Sequence, residues 1–275
     1  MAVTWRSTAA ISAGVGTGSA ALKLAAGVSA GRILLVYVAF GNDDNTPVTV
    51  DDPDLVELGQ AFAGSGSSGA DTGPRGIAVF AKITDATDAN KVINVTNPGT
   101  GGSGRVTRAY AIMFDYTEEA VFFDVASDGV DADNTSWSFS GIDLEGHAGG
   151  HVAMFEATSP DSPAPTPGSY SLTWPGAVSA GAALGSRNTG TTAKGDDVRG
   201  SSQSRDLGGD NTGTLSYSLS WASAVRGPII FVSMWDGPAE TPAVEEYYYD
   251  GTTEHLITEY YYDGTTEHPV TLELA

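Results

Sequence analysis

Cysteine is absent from this 275-residue chain. That excludes a disulfide framework and thiol chemistry, and it suits a cytosol-assembled protein as well as a robust exported one. Basic residues are scarce: 13 Lys and Arg stand against 34 Asp and Glu, for a net charge of −21. Phosphate backbones are held by clustered Lys and Arg, so this balance argues against a nucleic-acid partner. The excess negative charge favours solubility and close crowding without precipitation. No apolar run approaches the roughly 20 residues of a membrane-spanning helix, so no membrane partner is expected. The start, MAVTWRSTAAISAG, lacks a basic segment followed by an apolar block, which argues against a signal peptide. No segment carries a sustained helical apolar period.

What is present is a vocabulary of short strands and turns. Gly supplies 35 residues, and Ser, Thr, Asp and Ala are frequent, as in chains of many strands joined by many turns. Residues 32–40 (RILLVYVAF) are the most apolar run, with the β-branched and aromatic content of a strand buried on both faces. Residues 20–26, 47–51, 55–62, 77–83, 91–96, 105–116 and 121–125 read as further strands. So do 135–142, 151–158, 170–174, 214–221 and 228–235, the last a second doubly buried run. Residues 64–76 form a Ser/Gly loop, residues 159–168 carry four prolines, and 182–213 is a long polar loop, or one with a short strand. Turn signals between the strands predict an all-β fold, a β-sandwich or jelly roll. Two sheets would place 32–40, 105–114 and 228–235 in the middle. The expected domains are a body over 1–240, as one sandwich or as two stacked sandwiches divided near 128–134, and an extension over 241–275.

The extension contains YYYDGTTEH twice, beginning at Tyr247 and again at Tyr260, thirteen residues apart. Asp-Gly between strand-forming residues is a hairpin signal, because a type I′ turn needs positive φ at both central positions. Asp250-Gly251 and Asp263-Gly264 fit, predicting a three-stranded meander over 245–249, 252–262 and 265–274. With two-residue turns, Tyr247 faces Glu254 and Glu246 faces His255; Tyr260 faces Glu267 and Glu259 faces His268. Eight acids accompany the repeat, and no Lys or Arg follows Arg226. A two-faced, Tyr-rich ribbon of this size cannot hold itself together in water, so it either completes the main sheet or docks on a partner surface. The candidate partner-binding residues are Tyr247, Tyr248, Tyr249, His255, Tyr260, Tyr261, Tyr262 and His268.

Candidate chemistry is thin. Gly27, Ser29 and Gly31 match GxSxG, but a hydrolase elbow needs a helix after the serine and an apolar strand follows here. His147 and His151 flank Ala-Gly-Gly, which will not hold the helix of a zinc pair. His255 and His268 read as cross-strand partners of glutamates. Asp43, Asp44, Asp51, Asp52 and Asp54, or Asp128, Asp131 and Asp133, offer oxygens for calcium but lack the EF-hand spacing. Trp137, Trp221 and Trp235 lie within strand patterns and suit the core better than a sugar platform. The Gly-rich segment 14–18 has neither a preceding strand nor a lysine, so phosphate cradling is unsupported. No catalytic residue, metal or cofactor is expected.

Residues 31–40, 76–83 (GIAVFAKI) and 105–116 (RVTRAYAIMFDY), taken in order, resemble the strand pattern of tailed-bacteriophage virion surface proteins of β-sandwich type. The resemblance spans roughly residues 31–116 and carries no catalytic residues across. It implies a non-enzymatic structural protein of the particle: a capsid decoration, head-fibre or tail accessory protein. It further implies virion localisation after assembly in host cytoplasm, with other virion proteins and its own copies, as a homo-oligomer, for partners. The alternative is a carbohydrate- or host-receptor-binding β-sandwich module.

Overall fold

The computed structural model describes residues 3–8, 10–12, 14–64, 74–100, 106–118, 120–158, 167–173, 198–207, 213–237, 245–249 and 254–258. The chain forms two units, Met1–Gly237 and Pro238–Ala275. Among the described residues every regular element is a strand.

The first unit is a β-sandwich of three sheets. The middle sheet has β1 (Thr4–Thr8), β10 (Val106–Asp115), β5 (Ile33–Gly41), β8 (Arg75–Ile83) and β7 (Val56–Ala63) in that order, and β3 (Gly14–Thr17) also pairs with β10. A four-stranded sheet holds β2 (Ala10–Ser12), β4 (Ser19–Leu24), β9 (Val92–Thr96) and β6 (Thr49–Val50). A five-stranded sheet holds β11 (Ala120–Ile142), β15 (Leu215–Gly237), β12 (His151–Thr158) and β14 (Arg199–Asp206), with β13 (Pro167–Thr173) also on β15. All described ladders are antiparallel.

Alternation explains why the middle sheet is apolar throughout. Along β5, Ile33, Leu35, Tyr37 and Ala39 face the five-stranded sheet and pack with Phe155, Ile230, Val232 and Met234. The residues between them, Leu34, Val36, Val38 and Phe40, pack against Leu22, Leu24, Ile93 and Val95 of the four-stranded sheet. A strand covered on both sides has no position left for a solvated side chain. Each large side chain fully removed from water there contributes about 1.5–3 kcal/mol. Tyr37 anchors the first core, with Tyr110 stacked at 4.8 Å and Phe155 tilted at 4.8 Å. Asp115 at the end of β10 binds Arg6 of β1 at 2.8 Å and also Arg32 just before β5. One carboxylate thus ties three strands at the sheet end.

The five-stranded sheet solves the same problem by folding over itself. Residues 121–125 and 135–142, expected as separate strands, belong to the single strand β11. Residues 214–221 and 228–235 likewise merge into β15. The β11–β15 ladder shifts register between Val130 and Asn134 and again before Ser136. Bulges bend a strand without ending it, and here they turn the far half of the ribbon back across β12. Phe139 and Tyr217 from that half meet Phe231 edge-on at 6.1 and 5.3 Å, building a third core with Trp137, Leu219, Trp221, Val152 and Met154. Gly227 sits at the bend with φ of 147°, and an added Cβ would lie 1.8 Å from the Ala157 carbonyl oxygen. Arg226 beside it binds Asp133 Oδ1 at 2.8 Å and the Asp131 carbonyl at 3.2 Å, holding the two strands at the turn.

The two-sheet expectation is therefore corrected: 32–40 and 105–114 lie in the middle sheet, 228–235 in another, and a third sheet covers the remaining face. The N-terminal strands β1, β2 and β3 were not foreseen, since Thr, Ser and Gly dominate them. The polar stretch 182–213 contributes β14, eight residues long.

Candidate functional site

In the second unit, β16 (Glu245–Tyr249) and β17 (Glu254–Thr258) form an antiparallel hairpin. Its register differs from the expectation. Tyr247 pairs with Leu256, Tyr248 with His255, Tyr249 with Glu254 and Glu246 with Ile257. Strand pairing stops at Tyr249 and resumes at Glu254, so four residues separate the strands instead of two. The slip is two positions. Tyr247, Tyr248, Tyr249 and His255 are thus assembled on one hairpin. Tyr260, Tyr261, Tyr262 and His268, with the third strand of the meander, lie outside the described residues.

In the body, the acids proposed for calcium are drawn to other partners. Asp52 and Asp88 have fully buried carboxylates around Lys82, whose side chain is 2% exposed. Lys82 Nζ lies 2.9 Å from Asp88 and 3.3 Å from Asp52, and Lys91 Nζ lies 2.9 Å from Asp52. Burial by itself would push the Lys82 ammonium down, but the Asp88 and Asp52 carboxylates hold it well above the usual lysine range. Burial would likewise raise Asp52, and hydrogen bonding to Lys91 is the main reason it ends below the usual carboxylate range. Asp51 accepts from Asn94, at 2.7 Å from the backbone and 2.6 Å from the side chain. Asp44 binds Thr46 and Thr100. Asp131 accepts from the Gly64 amide at 2.8 Å, and Asp133 pairs with Arg226. Among the described residues no three metal-ligating side chains converge.

The two histidines four apart separate. His147 stacks on Trp235 at 4.2 Å, while His151 is buried against Phe114 at 4.9 Å. His151 carries a constellation the sequence did not reveal. Its Nδ1 lies 2.6 Å from Asp206 Oδ1, and its Nε2 lies 2.7 Å from Ser204 Oγ. The pairing of His151 with Asp206 across β12 and β14 creates it, and Ser204 follows because it is two residues back on the same face of β14. The His151 ring lowers the Asp206 pKa, outweighing partial burial. The order Asp–His–Ser is that of a nucleophile relay, yet Ser204 is 1% exposed and faces the packed layer. A nucleophile must meet its substrate; this one ties the end of β14 to β12 instead.

Ser29 of the GxSxG match is exposed, is followed by strand β5, and offers its carbonyl to Thr84 Oγ1 at 2.6 Å. Trp137 and Trp221 are buried in the third core. Trp235 is half-buried, with His147 and Phe122 stacked on it. These three indoles form no common platform.

An open groove of about 420 Å³ runs between the edges of two sheets, lined by Gln60, Ala61, Phe62 and Ala63 of β7 and Ser127, Asp128, Gly129 and Asp131 of β11. Small residues let these edges close together. A Cβ on Gly129 would sit 2.8 Å from Ala63 Cβ, and one on Gly59 would be 3.4 Å from Val125 Cγ1.

No family model matches the chain, and no curated protein does. A crystal structure of the STIV MCP aligns with 89% of this chain and 100% of its own, at 11% identity and a TM-score of 0.27. That score is too low to carry topology or function across.

Proposed function

We propose that this chain is a non-enzymatic structural protein of a bacteriophage particle, a capsid decoration, head-fibre or tail accessory protein that acts through protein–protein contacts. The reading rests on the division of the chain into a thick strand-built body and a separate C-terminal unit. The described part of that unit is two five-residue strands, too little to stand alone in water. Such a hairpin gains stability when it is laid on another surface, which is what an attachment element does. Tyr residues at three consecutive positions favour this, since Tyr covers area at low entropic cost.

The body supports the reading by what its ionisable groups do. Lys82, Asp52 and Asp88 satisfy one another, and His151, Ser204 and Asp206 lock two strands. These arrangements stiffen a scaffold. Other virion proteins and further copies of the chain are the partners this predicts.

The test is to remove residues 238–275 and mix the shortened and intact chains with particles purified from a culture that carries the gene, after the particles have been stripped of this protein. The intact chain should cosediment with particles and the shortened one should not. Equal cosedimentation would remove the attachment role from the tail. Saturable glycan binding by the body would favour the carbohydrate- or receptor-binding reading instead.

A further inference from the structure

We propose that Lys82 and Asp88 are the precursors of an intramolecular amide bond, which the folded chain closes by itself. The proposal is independent of the tail and of any partner. Lys82 lies on β8, two residues beyond Phe80, on the face that packs against the four-stranded sheet. Its side chain is 2% exposed. Its Nζ lies 2.9 Å from Asp88 Oδ1 and 3.3 Å from Asp52 Oδ2, and both carboxylates are fully buried. Asp54, at 3.6 Å, is open to solvent. An amine and a carboxyl group held in contact react as if both were highly concentrated. In bulk water hydrolysis opposes their condensation, and a buried site excludes the water that would reverse it. The product also removes two charges whose burial is costly.

Three features set this contact apart from an ordinary ion pair. The Asp85 amide donates to the other oxygen of Asp88, Oδ2, at 2.8 Å, where negative charge gathers as Nζ adds to the carboxyl carbon. Asp52 is a second carboxylate within reach of Nζ and serves as the proton relay. Lys91 lies 2.9 Å from Asp52, so a matched pair remains when Lys82 and Asp88 lose their charges. In the reaction Asp52 takes a proton from the Lys82 ammonium, and the freed amine bonds from Nζ to Asp88 Cγ. The Cγ–Oδ1 bond then breaks. Oδ1 leaves as water with two of the three ammonium protons, one of them returned by Asp52. The third proton stays on the amide nitrogen, Oδ2 becomes the amide oxygen, and Asp52 ends ionised as it began. Nothing is oxidised or reduced. The two carboxylates hold the Lys82 proton tightly, so its release is the slow stage and the newly folded chain carries the ionic cluster. The chain has no cysteine; this bond gives it a covalent tie across the turn at residues 83–87 of the kind a disulfide supplies elsewhere.

The test is intact-mass spectrometry of the full chain, fresh and after about ten days of warming at neutral pH, when a species lighter by one water should make up more than about a tenth of the chains. In that species trypsin should no longer cut after Lys82. Residues 76–91 should appear as one peptide that gives no backbone fragments between Ile83 and Thr87. Lys82→Arg keeps the charge without the amine and should abolish the loss. Asp88→Asn should lose ammonia in place of water, because the side-chain nitrogen is then the leaving group. Asp52→Asn removes the relay and should slow the reaction at least about tenfold. A mass that stays constant in the warmed intact chain would overturn the proposal. So would a water loss that maps to an Asp-Gly pair, where a cyclic imide gives the same mass change, one that maps to Asp52, or one that persists in Lys82→Arg.

Discussion

The middle sheet and the five-stranded sheet both contain strands buried on both faces, and they reach that state by opposite routes. The middle sheet is covered by two other sheets, one on each side. The five-stranded sheet has one such neighbour and makes its second cover from its own far half. The first route needs only uninterrupted apolar runs. The second needs a bend, and the bend rests on a few positions: Gly227, the bulges between Val130 and Ser136, and the Arg226–Asp133 pair. Stability in the folded-over region should therefore be concentrated at the bend, and in the middle sheet it should be spread over many side chains.

The largest effect should come from Gly227→Ala. The backbone there is left-handed, and the new Cβ would collide with the Ala157 carbonyl. A loss of more than about 4 kcal/mol, read as a missing or shifted urea transition, is expected. Gly141→Ala is the control. Gly141 also has positive φ, but a Cβ there meets nothing within 4 Å, so the cost should stay near about 1–2 kcal/mol. Similar losses for the two would show that the bend is not the weak point.

Next come the cores. Phe40→Ala should cost about 3–5 kcal/mol, because sheets on both sides hold the cavity open. Phe139→Ala should cost roughly 1 kcal/mol less, because the far half of the ribbon can settle into the space. If Phe139→Ala proves the more damaging, the folded-over core is as rigid as the other two.

Lys82→Ala leaves the buried Asp52 and Asp88 with Lys91 as their remaining cation, and should cost about 3 kcal/mol by chemical denaturation. The sign with pH follows from the raised pKa. The contribution of Lys82 is complete below its ordinary value of 10.5 and fades as pH rises through the higher folded value. The gap between intact protein and variant should thus persist at neutral pH and narrow only in strong alkali. The smallest effect should come from Asp206→Asn. The folded pKa of Asp206 is depressed, so its contribution is present above the ordinary 3.8 and is lost as pH falls through the folded value. The denaturation midpoints of variant and intact protein should converge in acid; a gap that widens there would contradict the His151–Asp206 contact.

What was legible in the sequence follows the same contrast. Residues 33–40 announced themselves because both faces are buried, so every position is apolar. Residues 214–221 alternated because only one face packs, with Leu215, Tyr217, Leu219 and Trp221 inward. β14 was legible only as the alternative of one short strand within 182–213, because Ser202, Gln203 and Ser204 are buried polar residues, and polarity reads as solvent in one dimension. His151, Ser204 and Asp206 could not be joined in advance, since strand pairing over some fifty positions brings them together. Lys82 and Asp52, 30 positions apart, are likewise joined only by the fold. In the tail, the hairpin itself was legible from Asp250-Gly251, but its register was not, because the same residues serve a two-residue or a four-residue connection.

Under the function proposed above, the C-terminal unit makes the contacts and the body is its rigid support. Sedimentation velocity of the intact chain beside the chain ending at Gly237 tests it most directly. The intact chain should self-associate, and the shortened chain should sediment as a compact monomer with an unchanged urea midpoint. A shortened chain that associates as well as the intact one, or one that no longer folds, would contradict it.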